Sequence, residues 1–212
     1  MDPVLEAIKS VKALRQRIDK LDENALDLLF REARTHNAWS EKPVTDEHLQ
    51  TLYQLVINCP TSGNCLPARF IFCRTAGSKA RLTPCLAPGN VAKTEAAPIT
   101  AIIAYDLSFW EHLPRLFPHK DMTETFKNNP KIAEKVAFRN GSLQGAYFIM
   151  GARAMGLDTG AMSGFDNEAV DKEFFANTTF KSNFLCNIGF GDTSGLLQKL
   201  PRFNFNEVAE VI

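Results

Sequence analysis

Most of the side chains in this 212-residue chain that could bind a ligand lie in three short polar segments rich in turn-forming residues. They are residues 33–39 (ARTHNAW), 59–70 (CPTSGNCLPARF) and 158–166 (DTGAMSGFD). The second segment combines the donors and acceptors of Thr61, Ser62 and Asn64 with Gly63, which lets a main chain come close. These are groups that recognise a polar ligand rather than groups that attack one.

The third segment follows a predicted helix over residues 142–155, which has few charges and many small residues. Such a helix should be buried, and Gly156 should end it. A buried helix followed by a flexible turn can hold main-chain N–H groups against a flat ligand. A core helix followed by an ordinary surface loop is the alternative, and these residues leave it open.

Composition excludes several classes of protein. The chain has 24 Lys plus Arg and 24 Asp plus Glu, so its net charge is zero and nothing suggests a nucleic acid partner. No apolar run approaches the roughly 20 residues that span a bilayer, and the N-terminus does not resemble a secretory signal. The five cysteines are odd in number and have no C-x-x-C spacing, so we expect neither a disulfide framework nor a zinc site, and a cytoplasmic location.

Common catalytic motifs are missing. GFGDTSG (residues 189–195) lacks the spacing of a dinucleotide fingerprint, and Ser163 does not lie in a G-x-S-x-G motif. The four histidines are scattered, so no metal site is expected. As a general base, His36 has no obvious carboxylate partner nearby in the sequence; it is either a ligand contact or an ordinary hydrogen-bonded histidine.

Hydrophobic patterns predict an α+β domain. The predicted strands are residues 69–74, 99–105 and 182–190. The predicted helices are residues 4–21, 23–33, a helix after Thr45, 78–86, a lid-like surface helix at 109–119, a long helix from Pro130, 167–175 and a short C-terminal helix. The helix at 4–21 carries one apolar stripe, which could face a partner helix, its own domain or a symmetry mate.

Several motifs, taken in order along the chain, resemble the nitroreductase family from about Leu21 to the C-terminus. They are ARTHNAWSEKPV, PTSGNCLPA, AMSGF and IGFGD followed by LPRF. The resemblance implies an N-terminal helical extension (residues 1–21) and an FMN-binding domain (residues 22–212) with a mainly antiparallel central sheet flanked by helices. It also implies a homodimer with FMN at the subunit interface.

The resemblance assigns the cofactor-binding residues. Arg34 and Arg202 would bind the phosphate, because an arginine fork can bond two phosphate oxygens. Main-chain N–H groups of Ser163 and Gly164 would face the flavin ring, and Lys93 would stabilise negative charge on it. The full set is Arg34, His36, Asn37, Pro60, Ser62, Asn64, Lys93, Ser163, Gly164 and Arg202. Arg34 as a solvated arginine at a helix end is the alternative.

Within the family the chain most resembles the malonic semialdehyde reductase branch of pyrimidine utilisation. The phrases LPRLFPH, AFRNGSLQ and KSNFLCNIGFGD carry that resemblance. The chain departs from the wider family at three places: Asn37 or Ala38 replaces the second arginine of the phosphate segment, Leu66-Pro67-Ala68 replaces Q-P-W, and Ser163 replaces a glutamate. These departures bear on FMN retention and on the substrate.

The activity implied by the resemblance is a ping-pong hydride relay from NADH or NADPH through FMN to malonic semialdehyde, forming 3-hydroxypropionate. The proton for an aldehyde would come from His36, a water or a hydroxyl. A broad nitro or quinone reductase is the second hypothesis. A flavin- or ligand-binding protein without turnover is the third, and the change at Asn37 or Ala38 supports it.

Overall fold

The computed structural model of the protein describes residues 2–212, which fall into two compact units divided between Ala33 and Arg34. The first unit contains α1 (Pro3–Arg17), capped by the Asp2 carboxylate, and α2 (Glu23–Leu26), which continues as a π-helical turn (Asp27–Arg31). The helix α1 ends at Arg17 and is shorter than the predicted 4–21. No residue of α1 is buried, so its apolar stripe is exposed. The boundary predicted between residues 21 and 22 concerns the family resemblance and stays a prediction.

The second unit is built on one four-stranded sheet in which every neighbouring pair is antiparallel. Its strands are β1 (Ala68–Cys73), β2 (Ile99–Asp106), β3 (Asp158–Met162) and β4 (Phe180–Gly189), in the spatial order β1-β2-β4-β3. The three predicted strands and the antiparallel α+β architecture are confirmed. The flexible turn predicted for residues 158–166 is wrong, because its first five residues form β3.

Helices cover both faces of this sheet. The helices of this unit are α3 (Asp46–Val56), α4 (Ala76–Leu82), α5 (Pro88–Ala96), α6 (Leu113–Leu116), α7 (Thr123–Lys127), α8 (Pro130–Ala154), α9 (Asn167–Phe174) and α10 (Phe205–Val208). The neighbouring residues Ile102 and Ile103 of β2 point to opposite faces of the sheet. Ile103 packs with α3 and α8, whereas Ile102 packs with α4 and α9. This alternation follows from the two-residue period of a strand. Among residues 2–212, no helix has both the length and the apolarity to cross a membrane.

The small residues of α8 serve its packing on the sheet of the same chain. A Cβ added to Gly141 would lie 2.9 Å from Cβ of Tyr105, and one added to Gly145 would lie 2.5 Å from the Phe184 ring. These residues therefore do not by themselves indicate packing between subunits. The exposed side of α8 carries large side chains instead, among them Phe138 and Tyr147.

The surface helix predicted at 109–119 is also wrong. The chain forms a 3-10 turn (Phe109–His112) and then α6, and both Phe109 and Leu113 are fully buried. The spacing of four residues puts these two side chains on one side, where they join a separate apolar cluster with Tyr105. The segment is thus anchored to the domain by these two buried side chains.

Candidate functional site

Strand β3 lies at one edge of the sheet, and its outer side meets the polar segment 34–39. Thr35 forms a parallel bridge with Thr159, and the His36 N–H donates to the Thr159 carbonyl over 3.0 Å. A Cβ on Gly160 would lie 2.6 Å from the His36 carbonyl, so the segment packs directly on the strand. Side chains two residues apart on an extended segment share one side, and Arg34 and His36 therefore lie together.

The His36 side chain is buried beside β3. Its Nδ1 lies 3.3 Å from Oδ1 of Asp158 but makes no hydrogen bond, and His36 is only 8% exposed. The second oxygen of Asp158 accepts the Gly191 N–H over 2.8 Å. A Cβ on Gly191 would overlap the imidazole, since Cδ2 would be 2.2 Å away. A polar ring has therefore been packed into a tight site with one nitrogen unpartnered, which is costly unless a charge or a ligand compensates.

Arg34 lies at the loop that follows β4. It is half-buried, and its guanidinium donates to the Leu197 carbonyl over 2.5 Å, which disfavours the alternative of a freely solvated arginine. Asn37, half-buried, precedes Ala38, whose carbonyl accepts the Asp192 N–H. Arg202 comes five residues after Leu197 and is exposed; its guanidinium donates to carbonyls within its own segment.

At its other end, β3 leads into a turn held by α5. The Gly164 carbonyl accepts from the Ala87 N–H over 3.0 Å and from Nδ2 of Asn90 over 2.7 Å. A Cβ on Gly164 would meet that Asn90 nitrogen at 2.7 Å, so any larger residue would displace the Asn90 side chain. The N–H groups of Ser163 and Gly164 donate to no acceptor in residues 2–212. Two free main-chain donors thus stand beside each other.

Lys93 lies on α5 three residues after Asn90, on the same side of the helix. It is half-buried and forms no ion pair within residues 2–212, while its carbonyl accepts from Asn187 of β4. Asn90 was missed by sequence reasoning. The only signal in the sequence was the three-residue spacing of Asn90 and Lys93, which puts two side chains on one side of a helix. It was hidden because the Pro88-Gly89 pair resembles a turn.

The loop containing Pro60, Ser62 and Asn64 lies elsewhere. The Ser62 N–H donates to Oδ1 of Asn140 on α8 over 2.8 Å, and Nδ2 of Asn64 donates to the Leu116 carbonyl over 2.9 Å. This loop leads into β1, and β2 and β4 lie between β1 and β3. With strands about 4.8 Å apart, the two edges are separated by roughly 14 Å. One chain therefore does not bring this loop to the other predicted site residues.

The groups along β3 fit a long ligand with an anionic end and a flat polar end. From Thr159, beside His36, to Ser163 is four residues, or about 13 Å of strand. Arg34 and His36 can take the anion, and the free N–H groups at the turn, with Asn90 and Lys93, can take the polar edge of a ring. The missing side chain at Gly164 leaves room for the ring of such a ligand. The fold and site define an α+β protein that binds a phosphorylated, planar cofactor such as FMN.

Comparison with known proteins agrees with that class. The sequence pattern of the Nitroreductase family matches residues 30–191. A protein of Burkholderia lata, provisionally named NADH dehydrogenase/NAD(P)H nitroreductase, is 54% identical over 191 residues, covering 90% of this chain and 98% of its own length. The chain belongs to the nitroreductase family, whose members are FMN-dependent NAD(P)H oxidoreductases.

Solved structures agree on the fold. A provisionally assigned nitroreductase of Bacillus subtilis superposes with a TM-score of 0.81 at 21% identity, covering 90% of this chain and all of that one. A provisionally assigned nitroreductase of Exiguobacterium sibiricum, solved in complex with FMN, gives a TM-score of 0.78 at 17% identity, covering 91% of this chain and 99% of that one. The predictions of family, fold, enzyme class and cofactor are confirmed. The ten individual site residues and the semialdehyde branch stay predictions.

Proposed function

We propose that this chain uses FMN to pass a hydride from NADH or NADPH to malonic semialdehyde, forming 3-hydroxypropionate. The observation that carries the redox class is the arrangement along β3, where cationic and main-chain donor groups stand about 13 Å apart. The substrate rests on the resemblance to the malonic semialdehyde reductase branch, which the phrases LPRLFPH, AFRNGSLQ and KSNFLCNIGFGD carry.

The bound FMN supplies the hydride chemistry, and the chain's own residues hold and tune it. Arg34 and His36 bind the phosphate. The N–H groups of Ser163 and Gly164 donate to the polar edge of the ring, and Lys93 balances negative charge there. His36 lies beside Thr159, and Thr159 is four residues of strand, or roughly 13 Å, from Ser163. His36 is therefore too distant to protonate the substrate. A water or a hydroxyl, such as that of Ser163, is the better proton source.

A second copy of the chain would complete the site. The loop with Pro60, Ser62 and Asn64 stands at the far edge of its own sheet, so a homodimer is the simple way to place it over FMN. Large apolar side chains also stay exposed along the C-terminal segment, including Leu197, Leu200, Phe203, Phe205, Val208 and Val211. Exposed apolar surface of this extent marks an interface. Arg202, within this segment, would then reach the phosphate in the assembled dimer.

The loop with Pro60, Ser62 and Asn64 would also bring a basic segment close to the substrate. Asn64 is bonded to Leu116, and a Cβ on Gly63 would lie 2.9 Å from the Met122 side chain, so the loop rests on residues 113–122. That segment carries Arg115 and Lys120, which form no ion pair within residues 2–212. A small aldehyde with a carboxylate would find its counter-charge there.

A broad nitro or quinone reductase is the second candidate, favoured by the name of the Burkholderia relative. Steady-state rates with malonic semialdehyde and with a nitroaromatic, on the same preparation, separate the two. A rate on the aldehyde no higher than background would refute the proposed substrate. A non-catalytic flavin-binding protein is the third candidate, since Asn37 and Ala38 leave the phosphate segment with one arginine fewer.

The first test is the visible spectrum of the purified protein before and after anaerobic addition of NADH or NADPH. We expect a flavin spectrum that bleaches, and the faster of the two donors identifies the nicotinamide used. A protein that binds no FMN and oxidises neither donor would refute the redox class. We further propose a cytoplasmic location, because all five cysteines are free and buried.

A further inference from the structure

We propose that Asp158 is a positioning residue for the cofactor phosphate: it holds His36 as an imidazolium whose second ring nitrogen binds the phosphate. This inference rests on the proposed function. It assigns a role to a carboxylate that would otherwise repel the phosphate, and it explains how this chain dispenses with the second arginine of the phosphate segment.

The geometry of the two side chains carries the argument. The buried nitrogen Nδ1 of His36 faces Oδ1 of Asp158 at 3.3 Å and has no other partner. The ring is wedged against Gly191, and Gly191 itself donates to the second oxygen of Asp158. The carboxylate is thus fixed by a main-chain bond, and the ring is fixed by packing. Because Nδ1 faces Asp158, a ligand would have to use Nε2, which would lie 2.6 Å from a Cβ added to Gly191.

The chemistry follows from these contacts. A carboxylate beside one nitrogen favours a proton on it and, with a phosphate at the other nitrogen, favours the doubly protonated ring. A charged donor bonds phosphate about twice as strongly as a neutral one. Arg34 lies on the same side of the extended segment, so the phosphate would meet one guanidinium and one imidazolium.

Other charged groups around this pair are few. Arg34 belongs to the same segment as His36. Arg153 of α8 interacts electrostatically with Asp158, and Asp192 follows Gly191 in the turn after β4. Asp192 is exposed, and its carboxylate accepts from the Ser194 N–H rather than from His36. It therefore serves as a matched control for the loss of a negative charge from the same region.

The test compares FMN with riboflavin, which has the same ring and no phosphate. Dissociation constants are measured by flavin fluorescence for the wild-type protein and for Asp158→Asn, His36→Gln, the double variant and Asp192→Asn. In Asp158→Asn we expect FMN to bind about fivefold to tenfold more weakly and riboflavin to be unchanged within about twofold. The double variant should match His36→Gln, because Asp158 acts through the ring. Asp192→Asn should resemble the wild type.

The sign of the effect separates the possibilities. If Asp158 were only a nearby negative charge, its removal would tighten FMN binding, and that result would overturn the inference. Equal weakening of FMN and riboflavin would show a purely structural role and would also overturn it. If the wild-type protein binds neither flavin, the proposed function itself has failed, which is a distinct outcome.

Discussion

Replacing Gly164 by alanine should destabilise the turn between β3 and α9 at one identifiable contact. The new Cβ would lie 2.7 Å from Nδ2 of Asn90 and 3.4 Å from Cβ of Ala87. The second distance is an ordinary contact, so Ala87 need not move. The first is too short, and Asn90 must swing away from the Gly164 carbonyl that it now bonds over 2.7 Å.

The magnitude follows from these two consequences. Forcing an extra methyl into a packed site costs about 1–3 kcal/mol. Losing the Asn90 bond costs about 1 kcal/mol more. We therefore expect the free energy of unfolding to fall by about 2–4 kcal/mol, which lowers Tm by roughly 4–16 °C for a domain of this size. FMN affinity should fall as well, since the free N–H groups of Ser163 and Gly164 would shift.

Gly89→Ala is the matched control. Gly89 lies in the first turn of α5, next to Asn90, and nothing lies within 4 Å of a Cβ added there. Alanine should leave Tm unchanged or raise it slightly, because glycine is the poorer helix former. Thermal unfolding of both variants, followed by circular dichroism, gives the comparison. Equal Tm values for Gly164→Ala and Gly89→Ala would refute the packing argument.

A double variant tests the named contact. Asn90→Ala alone loses one hydrogen bond and should cost about 1 kcal/mol. Combined with Gly164→Ala, it also removes the atom that the new methyl meets. The two changes should therefore be less than additive by about 1 kcal/mol or more. Strict additivity would show that the damage in Gly164→Ala comes from something other than Asn90.

Three further predictions concern the cofactor, the thiols and one buried lysine. Arg202→Ala should release FMN on gel filtration because the phosphate loses a charged partner, and unchanged flavin retention would refute the assignment. Burial raises the pKa of the Cys65 and Cys73 thiols to about 11 and that of Cys186 to about 12, from an ordinary value of 9.0. As the pH rises above 9, each thiol therefore loses its proton in the unfolded chain while it keeps the proton in the folded protein. Stability to denaturant should therefore fall from pH 8 to 10 by on the order of 1 kcal/mol per thiol, and Cys186→Ala should flatten that decline although its stability at pH 8 is lower. Lys79→Met should cost about 1–3 kcal/mol and speed hydrogen exchange in α5, since the buried ammonium donates to two carbonyls at the C-terminal end of that helix; wild-type protection in α5 would contradict this.

The sequence by itself determined the elements whose signals are local. Strand β2 is buried at all eight positions, and its continuous apolar run identifies it without knowledge of its neighbours. Helix α8 begins at Pro130 as expected, because proline suits the first position of a helix. The order of the polar motifs was sufficient to predict the nitroreductase family, since each motif is read along the chain.

The tertiary structure alone decided where those motifs meet. Strand β3 carries Asp158 and Gly160, which favour turns when considered alone; it is a strand because β4 pairs with it. Asn90 joins the site because the Gly164 carbonyl, 74 residues away, accepts from it. The loop at Ser62 stands at the opposite edge of the sheet because β1 and β3 are both edge strands. These outcomes depend on pairing between distant segments, and the energy of such pairing is absent from any local stretch of sequence.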